Sequence, residues 1–454
     1  MESTDTPSRW EKLREIIELG DQQLLEEHIE KISAAELVHA MSHLDKDDQL
    51  RLLNLLSPDY SAYLFEEIPD SQATELLEKL SAEKAATIIQ EMWSNDQADL
   101  ISSLEKEDAE AILAKMSPEE AEEVRRLARY ADDTAGGLMI TEFLVFPESE
   151  TVADVVENMN QHAEEYSDYN VQYVYVKSGK GRLIGVLRLR DLLLSPPHTP
   201  IRKIMIKSIL SVTVDQKLDQ LLEFFEEHDF VGVPVVDYQQ RLVGVALRKD
   251  VLEAAADRSD AELMRTRGIV GGEELRSMPV FLRSRRRLSW LSVNILLNII
   301  AASVIAIYQD TLSSVIALAV FLPIISDMSG CSGNQAVAVS MRELSLNVLK
   351  PNEILRVVWQ ELSVGIINGL ILGLLIGMAA WIWKGNPYLG LVTGGALAIN
   401  TLVAVSLGGA IPLFLKKVGM DPALASSPIL TTVTDMFGFF LVLSLASLML
   451  PLLT

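Results

Sequence analysis

From Leu288 onward the sequence is dominated by apolar blocks, near 288–308, 313–340, 355–383, 388–415 and 427–452. Each is long enough to cross the roughly 30 Å of a bilayer's hydrocarbon core with some tilt. A backbone in lipid must satisfy its own hydrogen bonds, which restricts such blocks to helices. We therefore expect a five-helix α transmembrane domain over 287–454 and a large soluble front, together a multi-domain membrane protein.

The charge divides the same way. Residues 281–454 hold 10 Lys+Arg and 7 Asp+Glu, leaving 29 and 56 for residues 1–280. A front carrying about 27 negative charges repels nucleic acid and anionic lipid and attracts cations, so nucleic acid is excluded as a partner. The opening stretch MESTDTPSRWEKLREIIELG has neither a basic n-region nor an apolar h-region. No cleaved signal is expected, and the front is expected to stay in the cytoplasm. Cys331, the sole cysteine, falls in an apolar block, which excludes an intrachain disulfide and a cysteine-rich zinc site. The six histidines, among them His162, His198 and His228, lack zinc-like spacing, and no catalytic constellation supports an enzyme.

Within the front, Leu56, Ile68, Leu80, Met92, Leu104 and Met116 recur every twelve residues, each followed by a polar helix start such as SPDY, PDSQ, SAEK or SPEE. This internal repeat predicts an all-α, superhelical stack of short helices over 1–135. Its acids, including Glu66, Glu67, Glu119 and Glu120, are read as a solvated face.

From 136 to 256 the pattern changes to β-branched strands alternating with short helices. RLIGVLRLRDLL from Arg182 matches RLVGVALRKDVL from Arg241, so a unit of about 60 residues is duplicated, with Asp191 and Asp250 in equivalent places. The pair resembles tandem α/β CBS domains, at 136–200 and 201–256. That resemblance offers ATP as a ligand, with Asp191 and Asp250 as candidate nucleotide contacts. Arg188 and Leu247, however, stand where such domains usually carry Ser or Thr, and both aspartates also suit helix capping.

The basic residues set an orientation. Arg283, Arg285, Arg286 and Arg287, then Arg342, Lys350 and Arg356, then Lys416 and Lys417 alternate with loops holding only Lys384. By the positive-inside rule the basic loops are cytoplasmic, with the N-terminus inside and the C-terminus on the opposite side of the cell membrane. Trp290, Trp359, Trp381 and Trp383 fit an interfacial belt.

Asp435, in TTVTDMFGFF, is the costliest residue of this arrangement. A carboxylate at a helix centre costs about 2.5–3.5 kcal/mol on insertion scales, and no Lys or Arg lies deep in a block to offset it. A cation, a proton, a second copy of the chain or a hydrogen bond to a neighbouring helix remains. Thr431, Thr432 and Gly438 lie one turn away on the same face. Asp327 follows Pro323 and precedes Gly330 and Gly333, a composition that suits a broken helix lining a cavity, or an aqueous mouth. Glu361 is expected at an interface, and Asn400 either between helices or as an oxygen ligand.

The whole order, together with DDTAGGLM at the first CBS unit, GNQ at 333–335 and DPALASSPILTTVTDMFG at 421–438, resembles the MgtE family of magnesium transporters and channels. The resemblance implies a homodimer in the bilayer, a pore on the two-fold axis, and Mg²⁺ as both cargo and regulator. Asp435 matches the ion-holding aspartate, with Asp327, Thr431, Thr432, Gly330, Asn334 and Asn400 as candidate pore residues. It implies a plug-like connecting helix, 257–286, and a magnesium sensor for which Asp229, Asp250, Glu253, Asp257, Asp260 and Glu262 are candidates. Cys331 replaces the family's asparagine, and Asp327 adds an acid, so Co²⁺ or Ni²⁺ admission is open, with simple packing the other and preferred reading of Cys331. The leading function is a Mg²⁺ channel gated by intracellular Mg²⁺. A coupled transporter or exporter of divalent cations and a membrane-anchored CBS sensor are the alternatives.

Overall fold

The computed structural model describes residues 9–164, 166, 169, 172–272, 274–276, 278–346 and 348–454. The chain divides into two compact units, Met1–Asp257 and Arg258–Thr454.

The first unit opens with ten helices: α1 (Arg9–Leu19), α2 (Gln22–Ile29), α3 (Ala34–His43), α4 (Lys46–Leu55), α5 (Pro58–Glu67), α6 (Asp70–Leu77), α7 (Ala82–Gln90), α8 (Ser94–Ser103), α9 (Lys106–Leu113) and α10 (Pro118–Leu127). From α2 to α10 the helices start at an unbroken twelve-residue step, so the repeat reaches further toward the N-terminus than its apolar signature suggested. Ser33 and Ser117 close capping boxes with Glu36 and Glu120, and Pro58 and Pro118 occupy first helical positions where no N–H is needed. Each helix is too short to be stable alone. Leu44, Leu56, Ile68, Met92, Leu104 and Met116 are buried in a continuous core that the neighbouring helices share, and Leu80 packs against it partly buried.

Two copies of a strand–helix–hairpin–helix unit follow. The first has β2 (Leu144–Pro147), α11 (Val152–Gln161), β3 (Tyr173–Lys177), β4 (Leu183–Arg188) and α12 (Leu189–Leu193). The second has β5 (Val212–Thr213), α13 (Leu218–Glu227), β6 (Gly232–Val236), β7 (Leu242–Leu247) and α14 (Arg248–Thr266). In each sheet the first strand pairs parallel to the second and the hairpin pairs antiparallel, with register shifts at the equivalent steps Val176/Lys177 and Val235/Val236. A short β1 (Met139–Ile140), lying before the first copy, pairs antiparallel with β7 of the second. The expected α/β duplication is thus present, and β1 couples its halves.

The second unit begins within α14. The sequence predicts one connecting helix over 257–286, but α14 ends at Thr266 and α15 (Val280–Ile307) is a separate helix. Glycines with positive φ at 268, 271 and 272 explain the stop, since left-handed backbone ends a helix. Then come α16 (Gln309–Ser314), α17 (Leu318–Ser345), α18 (Ile354–Lys384), α19 (Pro387–Val418), α20 (Pro422–Leu448) and α21 (Leu450–Leu453). Among the described residues, α15, α18, α19 and α20 are long and apolar enough to cross a membrane. The second of the five expected spans, α17, has 28 residues but carries Ser326, Asp327, Ser329, Ser332 and Asn334, which lower its hydropathy. It is also unbroken: Pro323 is tolerated in its second turn, and its glycines serve packing.

That packing centres on α19. On α18, Gly365, Gly369, Gly373 and Gly377 form a stripe at four-residue spacing against α19, so close that a Cβ on Gly373 would lie 2.6 Å from the Gly394 carbonyl oxygen. Lipid tails give no hydrophobic drive for helices to associate, and such small-residue stripes supply dispersion contact instead. Gly333 gives α17 the same access, with its carbonyl oxygen 2.2 Å from where a Cβ on Gly408 would stand.

Candidate ion pathway and acidic sensor

In the helical unit, Asp435 lies half-buried on α20 and accepts a hydrogen bond from Ser326 Oγ of α17. Asp327, the next residue on α17, is exposed and within electrostatic reach of Asp435. One turn further along α17, Cys331 is exposed, with Sγ 4.0 Å from Asp327 Oδ1. A carboxylate pair and a thiol from two helices therefore share one region, with no basic side chain paired to either acid among the described residues.

The other candidates around Asp435 divide by environment. Thr431 and Thr432 donate to the Pro428 carbonyl at 3.1 and 2.7 Å, which leaves their oxygen lone pairs free to accept or to ligate. Gly330 is buried, and a Cβ there would lie 3.9 Å from the Thr431 methyl group. Asn334 is half-buried. Asn400 is fully buried: its Nδ2 donates to the Thr434 carbonyl at 3.1 Å, directly beneath Gly438, where a Cβ would lie 2.6 Å away. Its amide joins α19 to α20, and its Oδ1 has no hydrogen-bond partner among the described residues.

At the other end of this unit, the last turns of α14 meet the helices through Glu262, which accepts from Ser345 Oγ at 3.5 Å, and Arg265, 3.8 Å from Asp421 at the N-cap of α20. Asp260 lies on the same stretch of α14.

In the first unit the acidic repeat meets the CBS pair at α8. At α8 the cap position is Trp93, which, like Pro69 at α6, has no side-chain acceptor to cap with. The carboxylate of Glu142, just after β1, takes over. It accepts from Ser94 N at 3.1 Å, Ser94 Oγ at 2.8 Å and Thr141 N at 2.9 Å, and Thr141 N also donates to Ser94 Oγ at 2.8 Å. The freed indole of Trp93 packs on an apolar cluster of Ile140, Tyr175, Val245 and Leu247 from both CBS copies.

This docking brings carboxylates together. Asp96, in the first turn of α8, faces Glu66 at the end of α5 and Asp250 at the start of α14. Burial, then repulsion from Glu66, Asp99 and Asp250, pushes the Asp96 carboxyl up to about 8. Burial with repulsion from Asp132 and Asp70 raises Asp99 to about 7. Burial likewise raises Asp250 and Glu66, and Lys249 opposes both shifts. Asp250 is only 9% exposed, and its Oδ2 has no hydrogen-bond partner among the described residues. Glu253, one turn along, adds to the repulsion on Asp250. No three His, Cys, Asp or Glu side chains among the described residues lie close enough to form a ready-made metal cage.

Of the sequence-predicted sensor acids, Asp250 and Glu253 therefore meet, while Asp229 extends into solvent 3.6 Å from Arg248 and Asp257 ends the first unit. Glu66 is exposed, as read above, and accepts from Trp93 N at 3.4 Å, whereas Asp96 and Asp99 were missed. The lapse of the cap pattern at Trp93 was the available signal. Of the two candidate nucleotide contacts, Asp191 pairs with Arg190 at 3.6 Å, and neither it nor Asp250 lines the cleft of about 30 Å³ between the sheets.

Comparison with known proteins agrees with this layout. Residues 322–445 match the MgtE model, described as a divalent cation transporter; 32–133 match the MgtE intracellular N domain; and 135–197 and 201–257 match CBS domains. The chain is 34% identical over 337 residues to the magnesium transporter MgtE of Thermus thermophilus, covering 73% of this chain and 74% of the relative. It is 33% identical over 333 residues to the MgtE of Enterococcus faecalis, covering 73% and 72%. Among solved structures, the soluble part of a magnesium transporter aligns at a TM-score of 0.51 and 28% identity, covering 55% of this chain and 98% of that one. The chain belongs to the MgtE family of divalent cation transporters, a family of membrane transporters rather than enzymes.

Proposed function

We propose that this protein is a homodimeric Mg²⁺ channel of the cell membrane, closed by intracellular Mg²⁺ acting on its soluble unit. The observation that carries the reading is Asp435: a half-buried acid in an apolar helix, held by Ser326 and accompanied by Asp327 rather than by a base. Mg²⁺ keeps most of its waters and takes one or two carboxylates. Two copies of Asp435 across a two-fold axis meet that demand, with Thr431 and Thr432 offering hydroxyl oxygens to the water shell. With α17 as the fifth crossing, the arginines at 283–287 lie in the cytoplasm and the C-terminus outside.

The gating half of the proposal rests on the docked acids. Asp250 presents a buried oxygen with no hydrogen-bond partner among the described residues, Asp96 lies within electrostatic reach of both Asp250 and Glu66, and Glu253 adds its charge one turn along. This donor set suits a hard, hydrated cation: all oxygen, net negative, with room left for water. A bound Mg²⁺ relieves the repulsion and holds the helical repeat on the CBS pair, and its loss lets the carboxylates separate. In this reading Glu262, which accepts from Ser345 Oγ at the C-terminal end of α17, passes the change on to the pore helices.

Mg²⁺ flux into liposomes containing purified protein tests the pore half, wild type against Asp435→Asn. Normal flux through Asp435→Asn refutes the ion site. Cys331 beside Asp327 favours a second cargo of softer divalent ions such as Co²⁺, which competition in the same assay measures.

A further inference from the structure

Lys249 stands among the sensor carboxylates. Its ammonium is 3.5 Å from Asp250 Oδ1, and its charge also bears on Glu66 and Asp96, which belong to the helical repeat. Its side chain is 67% exposed, so the ammonium reaches in from solvent and the contact is not a buried structural ion pair. The adjacent Arg248 does not share this role. Its guanidinium donates to the Phe230 and His228 carbonyls, lies 5.4 Å from the centre of the Phe225 ring and pairs with Asp229.

We propose that Lys249 is a tethered counter-ion of the magnesium sensor, which partly neutralises the acids in place of the metal and so raises the Mg²⁺ concentration needed to close the pore. This rests on reading the cluster as the sensor. The physics has two consequences of opposite sign. Without metal, the ammonium reduces the repulsion that Asp96 on α8 feels from Asp250 on α14 and from Glu66, favouring the docked arrangement. With metal, the same positive charge repels the incoming dication and weakens its binding. A residue with only a packing role does not produce this pairing, because its loss loosens the docked state and weakens metal binding together.

The test uses the full chain in detergent, titrated with MgCl₂ at constant ionic strength, with limited proteolysis between α10 and β1 reporting undocking. For Lys249→Met we expect faster cleavage without Mg²⁺ and a protection midpoint lowered roughly five- to tenfold, the scale of one unit-charge interaction at a partly exposed site. Lys249→Arg should stay within about twofold of wild type on both measures. If Lys249→Met shifts neither measure, or loosens the unit while raising the midpoint, the counter-ion role is overturned. A wild type whose cleavage ignores Mg²⁺, with Asp250→Asn equally indifferent, overturns the sensor reading itself and this inference with it. A wild type that responds to Mg²⁺ beside an unresponsive Lys249→Met confines the failure to Lys249.

Discussion

Ser326 of α17 donates its hydroxyl hydrogen to the carboxylate of Asp435 on α20, joining the most polar long helix of the membrane unit to the acid that composition alone singles out. A hydrogen bond to a charged group contributes about 1.5–3 kcal/mol. Ser326→Ala should therefore leave Asp435 in place but poorly oriented, reducing Mg²⁺ flux several-fold in liposomes. Asp435→Asn, which removes the charge, should cost more than roughly tenfold. Equal flux in the serine variant and wild type would mean that Asp435 needs no orienting partner.

Glu142 supplies the cap that Trp93 cannot. Its replacement by Ala exposes the first amides of α8 and removes three accepted hydrogen bonds, so α8 should lose about 1–2 kcal/mol of local stability. Hydrogen exchange of the Ser94 and Asn95 amides measures this directly. Glu142→Gln keeps an acceptor and should fall between Ala and wild type.

The docked acids make the first unit pH-sensitive when Mg²⁺ is absent. Asp96 titrates near 8 in the folded protein against an ordinary value of 3.8, so the folded state holds the extra proton through that window. Stability then falls as pH rises from about 4 to about 8 and levels off above it. Proteolysis between α10 and β1 should be slower at pH 5.5 than at pH 8.5 in chelator, and Asp96→Asn should flatten the difference.

Close helix contact in the membrane unit depends on absent side chains. Gly373→Leu drives a branched side chain into the Gly394 backbone and should abolish recovery of folded protein in mild detergent. Gly373→Ala, with one methyl at 2.6 Å, should fold with a lowered melting temperature. An unchanged melting temperature would show that α18 and α19 part without cost.

Much of the architecture was legible because it is periodic. The twelve-residue step, the duplicated RLIGV/RLVGV hairpins and the long apolar blocks each repeat a local physical requirement, and a repeated requirement is visible without neighbours. What escaped is pairwise. Glu66, Asp96 and Asp99 look like any exposed acids until β1 and Glu142 dock α8, and nothing local distinguishes Glu142 from the solvated acids around it. Asp435 stood out because lipid penalises it, but its partner did not, since serine is unremarkable in a helix. The four-residue glycine stripe of α18 was available in the sequence and was passed over, because glycine in an apolar block reads first as tolerance.

Nine helices stepping at one interval also act as a ruler. A change of chain length by any amount other than twelve residues throws every later apolar position off its neighbour, whereas a whole step added ahead of α5 lengthens the stack and leaves Glu66, Asp96 and the Trp93 anchor where they are. The outer end of this domain can grow or shrink by whole helices without recalibrating the acids at its inner end.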